Sequence, residues 1–120
     1  MRFLIVDDTA RARQSMRALL EVWHPLEDVR EATNGAEAVK LAEEFKPDLI
    51  LMDARMPKMS GLEATRQIKA TWPQIKIIIL SVFTDYQVLA VEAGADAFFS
   101  KSDPPENLRM LLRNVLQEKE

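Results

Sequence analysis

The sequence predicts a three-layer α/β domain, a parallel sheet with helices on both faces, and three observations predict it. Short apolar runs alternate with stretches of helical period along the chain. The runs FLIV, LILM and IIIL contain no polar residue, as strands buried on both faces of a parallel sheet require. The connections are short, so each helix serves as the right-handed crossover between neighbouring strands. At 120 residues the chain fits one such domain.

Each element follows from local chemistry. Phe3–Val6 is the first strand. In TARARQSMRALLEVW, Met16, Leu19, Leu20 and Trp23 recur at helical spacing, and Asp8 stands just ahead as a candidate cap. Asp28–Ala32 is the second and weakest strand. Asn34 lies three residues before Glu37, the spacing of a capping box, and opens a helix with Val39, Ala42 and Phe45 on one face. Leu49–Met52 is the third strand. The third helix, GLEATRQIKATW, aligns Leu62, Thr65, Ile68 and Trp72 and stops at Pro73, which cannot continue it. Lys76–Leu80 is a β-branched fourth strand, followed by a short helix from about Asp85 to Ala93, with Gly94 as its C-terminal cap. Asp96–Ser100 is the fifth strand. The last helix starts at Pro104 and Pro105 and carries a stripe of Leu108, Leu111, Leu112, Val115 and Leu116.

Composition narrows the function classes. The chain is 48% hydrophobic and 29% charged, near the globular average. Its apolar runs are shorter than the roughly 20 residues a membrane-spanning helix needs, and the N-terminus enters a strand without a cleavage site. A cytoplasmic protein without a membrane partner is expected. There is no cysteine, which excludes disulfides, thiolate metal sites and thiol nucleophiles. The one histidine, His24, is read as a solvated turn residue; alone it excludes a His-based zinc site and a Ser-His-Asp triad. A net charge of −3 without a basic run makes the domain itself a poor nucleic-acid binder.

The strand ends carry the chemistry. In open parallel sheets, ligands bind outside the carboxyl ends of the strands. Here those ends present Asp7 and Asp8, Asp53, Ser81 and Lys101. Clustered carboxylates repel and raise one another's pKa unless a cation compensates. An all-oxygen set of this kind suits Mg²⁺, which binds through one or two carboxylates, waters and a phosphate. Lys101 offers an ammonium and Ser81 a hydroxyl for phosphate oxygens. Asp53 then reads as a nucleophile for phosphoryl transfer. Singly, Asp8 as a cap, Ser81 as a strand end and Lys101 as a solvated side chain are all ordinary. Four strand ends sharing one chemistry are not.

These residues, in IVDD, LMDARMPKMSG, IIILS and AGADAFFSK, resemble the receiver domain of two-component response regulators, over residues 1–120. The resemblance implies the flavodoxin-like strand order 2-1-3-4-5, a property of receivers as a family that the strand pattern alone leaves open. It further implies that Asp53 accepts a phosphoryl group from a sensor histidine kinase or phosphotransfer protein. Asp8 and Asp53 would bind Mg²⁺, Asp7 mostly through water, and the Arg55 backbone carbonyl would complete the protein ligands. Lys101 would grip the acyl phosphate. Ser81 and Phe98 would be the switch residues that reshape the surface of the fourth helix, fifth strand and fifth helix, with homodimerisation on phosphorylation as one outcome.

The chain departs from many receivers in having Ser102, not proline, after the lysine. The stretch LSVFTDYQVLAVEAGADAFFSKSDPPENL is most similar to the subgroup with helix-turn-helix DNA-binding outputs. No output module lies within these residues: either the protein acts alone or this is an excised receiver, the reading favoured here, with DNA reached only through a module outside this chain. Arg55 and Phe83, each two residues beyond a site residue, are expected at the pocket mouth, Arg55 pairing with the carboxylates when metal is absent and Phe83 shielding the acyl phosphate from attacking water. Three alternatives remain. An FMN-binding flavodoxin would need a Ser/Thr/Gly-rich phosphate loop where this chain has DDTARAR. A phosphatase of the haloacid dehalogenase type would need an acid where Arg55 stands. A pseudo-receiver that is never phosphorylated and serves only for docking is the remaining interaction-module reading.

Overall fold

Apolar runs that must leave water on both sides need helices on both sides, and the chain supplies them by strict alternation. The structure is a computed structural model describing residues 1–25 and 27–117. Its elements are β1 Arg2–Val6, α1 Ala10–Trp23, β2 Asp28–Ala32, α2 Gly35–Phe45, β3 Leu49–Asp53, α3 Gly61–Thr71, β4 Lys76–Ser81, α4 Tyr86–Ala93, β5 Ala97–Ser100 and α5 Pro105–Leu116. The strands form one parallel sheet in the order β2-β1-β3-β4-β5, the flavodoxin-like arrangement. No helix among the described residues is long and apolar enough to cross a membrane.

The two-residue period of the strands divides the core into two layers. Leu4, Val6, Ile50, Met52, Ile77 and Ile79 face one side and pack with α2, α3 and α4 through residues such as Ala38, Ile68 and Ala90. Phe3, Ile5, Leu49, Leu51, Ile78 and Leu80 face the other and meet Leu20 of α1 and Leu108 and Leu112 of α5. Nearly all of these side chains are fully buried, and each buried aliphatic contributes about 1.5–3 kcal/mol.

The caps correct the sequence reading in one place. Asn34 accepts from the Glu37 amide at 2.9 Å as its spacing predicts, and Ser60 does the same for Glu63 at 3.2 Å. The cap of α1, however, is Thr9, whose hydroxyl accepts from the Ala12 amide; Asp8 sits one residue too early to reach that turn. The last helix begins at Pro105, with Pro104 as its extended N-cap residue. His24 is not simply a solvated turn residue: its backbone caps α1 on the Leu20 carbonyl, and its ring meets Phe3 edge-on with centroids 5.2 Å apart.

Strands β3 and β4 run one residue further than their apolar runs. Asp53 stays in register opposite Leu80, and Ser81 opposite Ser100. Both polar residues therefore belong to the sheet and not to the loops. The loop after β3 is clamped at Gly61, whose amide donates to the Ala54 carbonyl at 3.1 Å. A Cβ at Gly61 would overlap the Asp53 carbonyl oxygen, so only glycine lets α3 start this close to β3.

Candidate functional site at the carboxyl edge of the sheet

Strand order and register bring the polar ends together. Val6 pairs with Ala32 on one side and Met52 on the other, so Asp7 and Asp8 emerge beside Asp53. Lys101 follows β5, and its amide donates to the Ser81 carbonyl at 2.8 Å. Asp7, Asp8, Asp53, Arg55, Ser81 and Lys101 all line one cleft of about 300 Å³. A larger cleft of about 570 Å³ alongside shares Asp8 and Arg55 but reaches neither Asp53 nor Lys101.

Lys101 organises the centre. Its Nζ donates to Asp7 Oδ2 at 2.9 Å and lies 3.0 Å from Asp53 Oδ1. The other oxygen of Asp7 accepts from the Thr9 amide at 2.9 Å and the Thr9 hydroxyl at 3.1 Å. Burial pushes the Asp7 carboxyl up, but the Thr9 amide and the Lys101 ammonium outweigh it and hold Asp7 below the ordinary value. At Asp53 the balance reverses: burial raises its pKa, Lys101 only partly offsets this, and the charges of Asp7 and Asp8 add to the rise. Burial lowers Lys101, yet its bonds to Asp7 and Asp53 prevail and keep it firmly protonated. Ser81 is buried, and its Oγ accepts from the Phe83 amide at 3.0 Å.

The site residues expected from the sequence converge, apart from Phe98. That ring lies on β5, half-buried against the α2–α4 layer and outside the cleft. One expectation fails. Arg55 does not pair with the carboxylates; its guanidinium lies over the Phe83 ring, 5.3 Å from the centroid, because Lys101 already occupies the inner position. Sequence reasoning missed Thr9 and Arg13. A Thr directly before a helical run signalled Thr9, whereas Arg13, whose Nη1 donates to the Asp7 carbonyl at 2.8 Å, had no signal beyond its place on the first turns of α1.

The donor set fits a hard divalent cation. Asp7, Asp8 and Asp53 each offer a carboxylate oxygen, all within 4.8 Å of one another, and Lys101 balances only part of their charge. Oxygen ligands without histidine or thiolate suit Mg²⁺.

Comparison with known proteins agrees with this geometry. A family model described as the response regulator receiver domain matches residues 3–113. The Staphylococcus aureus response regulator protein VraR is 37% identical over 117 residues, 96% of this chain and 56% of its own length. The uncharacterized transcriptional regulatory protein YhcZ of Bacillus subtilis is 37% identical over 110 residues, 90% of this chain and 51% of its own. The chain thus spans about half the length of these relatives. Among solved structures, a LuxR-family two-component response regulator from Aurantimonas superposes with a TM-score of 0.90 at 32% identity, covering 98% of this chain and 86% of that one. The Vibrio cholerae chemotaxis protein CheY4 gives a TM-score of 0.84 at 27% identity over 95% and 97% of the two chains. With the family match spanning nearly the whole sequence, the chain belongs to the response regulator receiver domains of two-component signalling.

Proposed function

We propose that Asp53 is the phosphoacceptor, taking a phosphoryl group from a phosphohistidine of a sensor kinase or phosphotransfer protein. The observation that carries this reading is the Lys101 ammonium held between Asp7 and Asp53, at 2.9 and 3.0 Å, at the carboxyl edge of the sheet. An Asp53 oxygen attacks phosphorus while the phosphorus–nitrogen bond breaks. With its other ring nitrogen protonated, the imidazole departs neutral. Asp8, Asp53 and the Arg55 backbone carbonyl would hold Mg²⁺ directly and Asp7 through water. When bound, Mg²⁺ neutralises carboxylate and phosphoryl charge, the main demand of this reaction. Lys101 moves its bond from the Asp53 oxygen to a phosphoryl oxygen.

Phosphorylation adds about two negative charges, and the response runs through Ser81 and Phe98. The Ser81 hydroxyl leaves the Phe83 amide to donate to a phosphoryl oxygen, and Phe98 turns into the vacated space. This biases the surface of α4, β5 and α5, a two-state element, and homodimerisation is one readout. The greater length of the curated relatives and the descriptions of relatives as transcriptional or DNA-binding regulators support a DNA-binding output in an attached module; the receiver family itself favours a cytoplasmic location.

Wild type and Asp53→Asn incubated with Mg²⁺ and acetyl phosphate, then read by intact mass, test the assignment. A phosphoryl adduct on wild type that Asp53→Asn lacks is expected. Equal labelling puts the phosphoryl group on another residue and sinks the assignment to Asp53; no labelling of either sinks it too and leaves the docking-only pseudo-receiver.

A further inference from the structure

Asp7 is fixed at every polar atom. Its amide donates to the Ala32 carbonyl at 3.2 Å; Thr9 and Lys101 hold its two carboxylate oxygens. Its own carbonyl lies beyond the end of β1, before α1 has begun, so neither ladder nor helix supplies a donor. Arg13 Nη1 fills that role at 2.8 Å. The guanidinium is itself aimed by Glu31 of β2, whose Oε1 accepts from Arg13 Nε at 2.9 Å. The second Glu31 oxygen is occupied by Arg17 Nη1 at 3.1 Å. The Arg13 side chain is only 16% exposed and Glu31 32%, so this fork is screened less than a fully exposed surface ion pair.

The Asp7 carbonyl shares a rigid plane with the Asp8 amide and Asp8 Cα. Holding that carbonyl sets the direction from which the Asp8 side chain departs. Asp8 is exposed, and its carboxylate has no hydrogen bond to the described residues, so the backbone alone supplies its aim. Asp7 and Asp8 thus divide the work, one bonded throughout and the other free to coordinate.

We infer that Arg13, oriented by Glu31, is a positioning residue for the cation ligand Asp8, acting through the Asp7 carbonyl. The inference rests on the Mg²⁺ reading above and extends it to residues of α1 and β2 that do not line the cleft. Partners behind metal ligands of this kind typically alter affinity by 10–100-fold.

Calorimetric titration with Mg²⁺, alongside urea melts, tests it in wild type, Asp8→Asn, Arg13→Met, Arg13→Lys and Glu31→Gln. Arg13→Met is expected to weaken Mg²⁺ binding roughly tenfold, with Glu31→Gln and Arg13→Lys in between, because one loses the aim and the other keeps a single donor. If Asp8→Asn loses Mg²⁺ while Arg13→Met binds within about twofold of wild type, Arg13 is a staple between α1 and β2 and the inference alone is overturned. If Asp8→Asn binds Mg²⁺ as wild type does, the Mg²⁺ reading falls and takes the inference with it. Should Arg13→Met fail to fold, Glu31→Gln and Arg13→Lys decide: both weakened supports the inference, both unchanged overturns it.

Discussion

Asp7 and Asp53 share one ammonium yet are driven in opposite directions, and the contrast has a measurable sign. Asp53 titrates above its ordinary value because of burial and its acidic neighbours, so ionising it opposes folding. The stability present below the unfolded carboxylate value is lost as pH rises through the raised one. Asp53→Asn is therefore expected to be more stable than wild type at neutral pH without Mg²⁺, with the advantage shrinking as the solution is acidified; urea midpoints across that range check it. Asp7, depressed chiefly because Thr9 and Lys101 overcome its burial, contributes stability above the ordinary carboxylate range that acid removes. Replacing Lys101 by Met strands both carboxylates, and the loss should be about 2 kcal/mol in Mg²⁺-free melts, partly recovered on adding Mg²⁺. The carboxylates and Lys101 were legible in the sequence because each ends or follows an apolar run. The contacts of Arg55 and Arg13 were not, since a loop conformation decides one and the docking of α1 against β2 the other.

At the level of elements, the sheet delivers Asp53, the proposed acceptor, and glycine sets its distance from α3. Gly61→Ala would press a methyl group into the Asp53 carbonyl oxygen and against Met52 Cγ, 2.8 Å away. The expected cost is about 3 kcal/mol in a denaturant melt, together with slower labelling by acetyl phosphate, because the displaced backbone belongs to the acceptor itself. Element types were readable from period and caps, as Asn34 illustrates. Their ends were less so: hydrogen bonding carries Asp53 and Ser81 within β3 and β4, where hydropathy stops at Met52 and Leu80. At the opposite edge, Lys69 Nζ joins the Pro73 and Ile75 carbonyls to the Asp96 carboxylate at 2.9–3.0 Å. No local pattern announces this tie between α3 and the segments that enter β4 and β5, because its partners meet only when the crossovers close.

For the molecule as a whole, binding and stability are linked. Any cation held by the native site and not by the unfolded chain stabilises it, by about 2.7 kcal/mol at a hundredfold excess over Kd. Thermal melts with increasing Mg²⁺ should rise accordingly for wild type and stay flat for Asp8→Asn. Alternation and short connections made the three-layer architecture legible, but the strand order came from family resemblance, because each right-handed crossover can place its strand on either side of the growing sheet. The division of the core has one more consequence. Phe98 packs on the α2–α4 layer and its neighbour Phe99 is buried in the α1–α5 layer, so one edge strand faces two separately packed compartments. A side chain that reorients in one need not disturb the packing of the other, so core substitutions beneath α1 are tolerated without loosening the layer around Phe98.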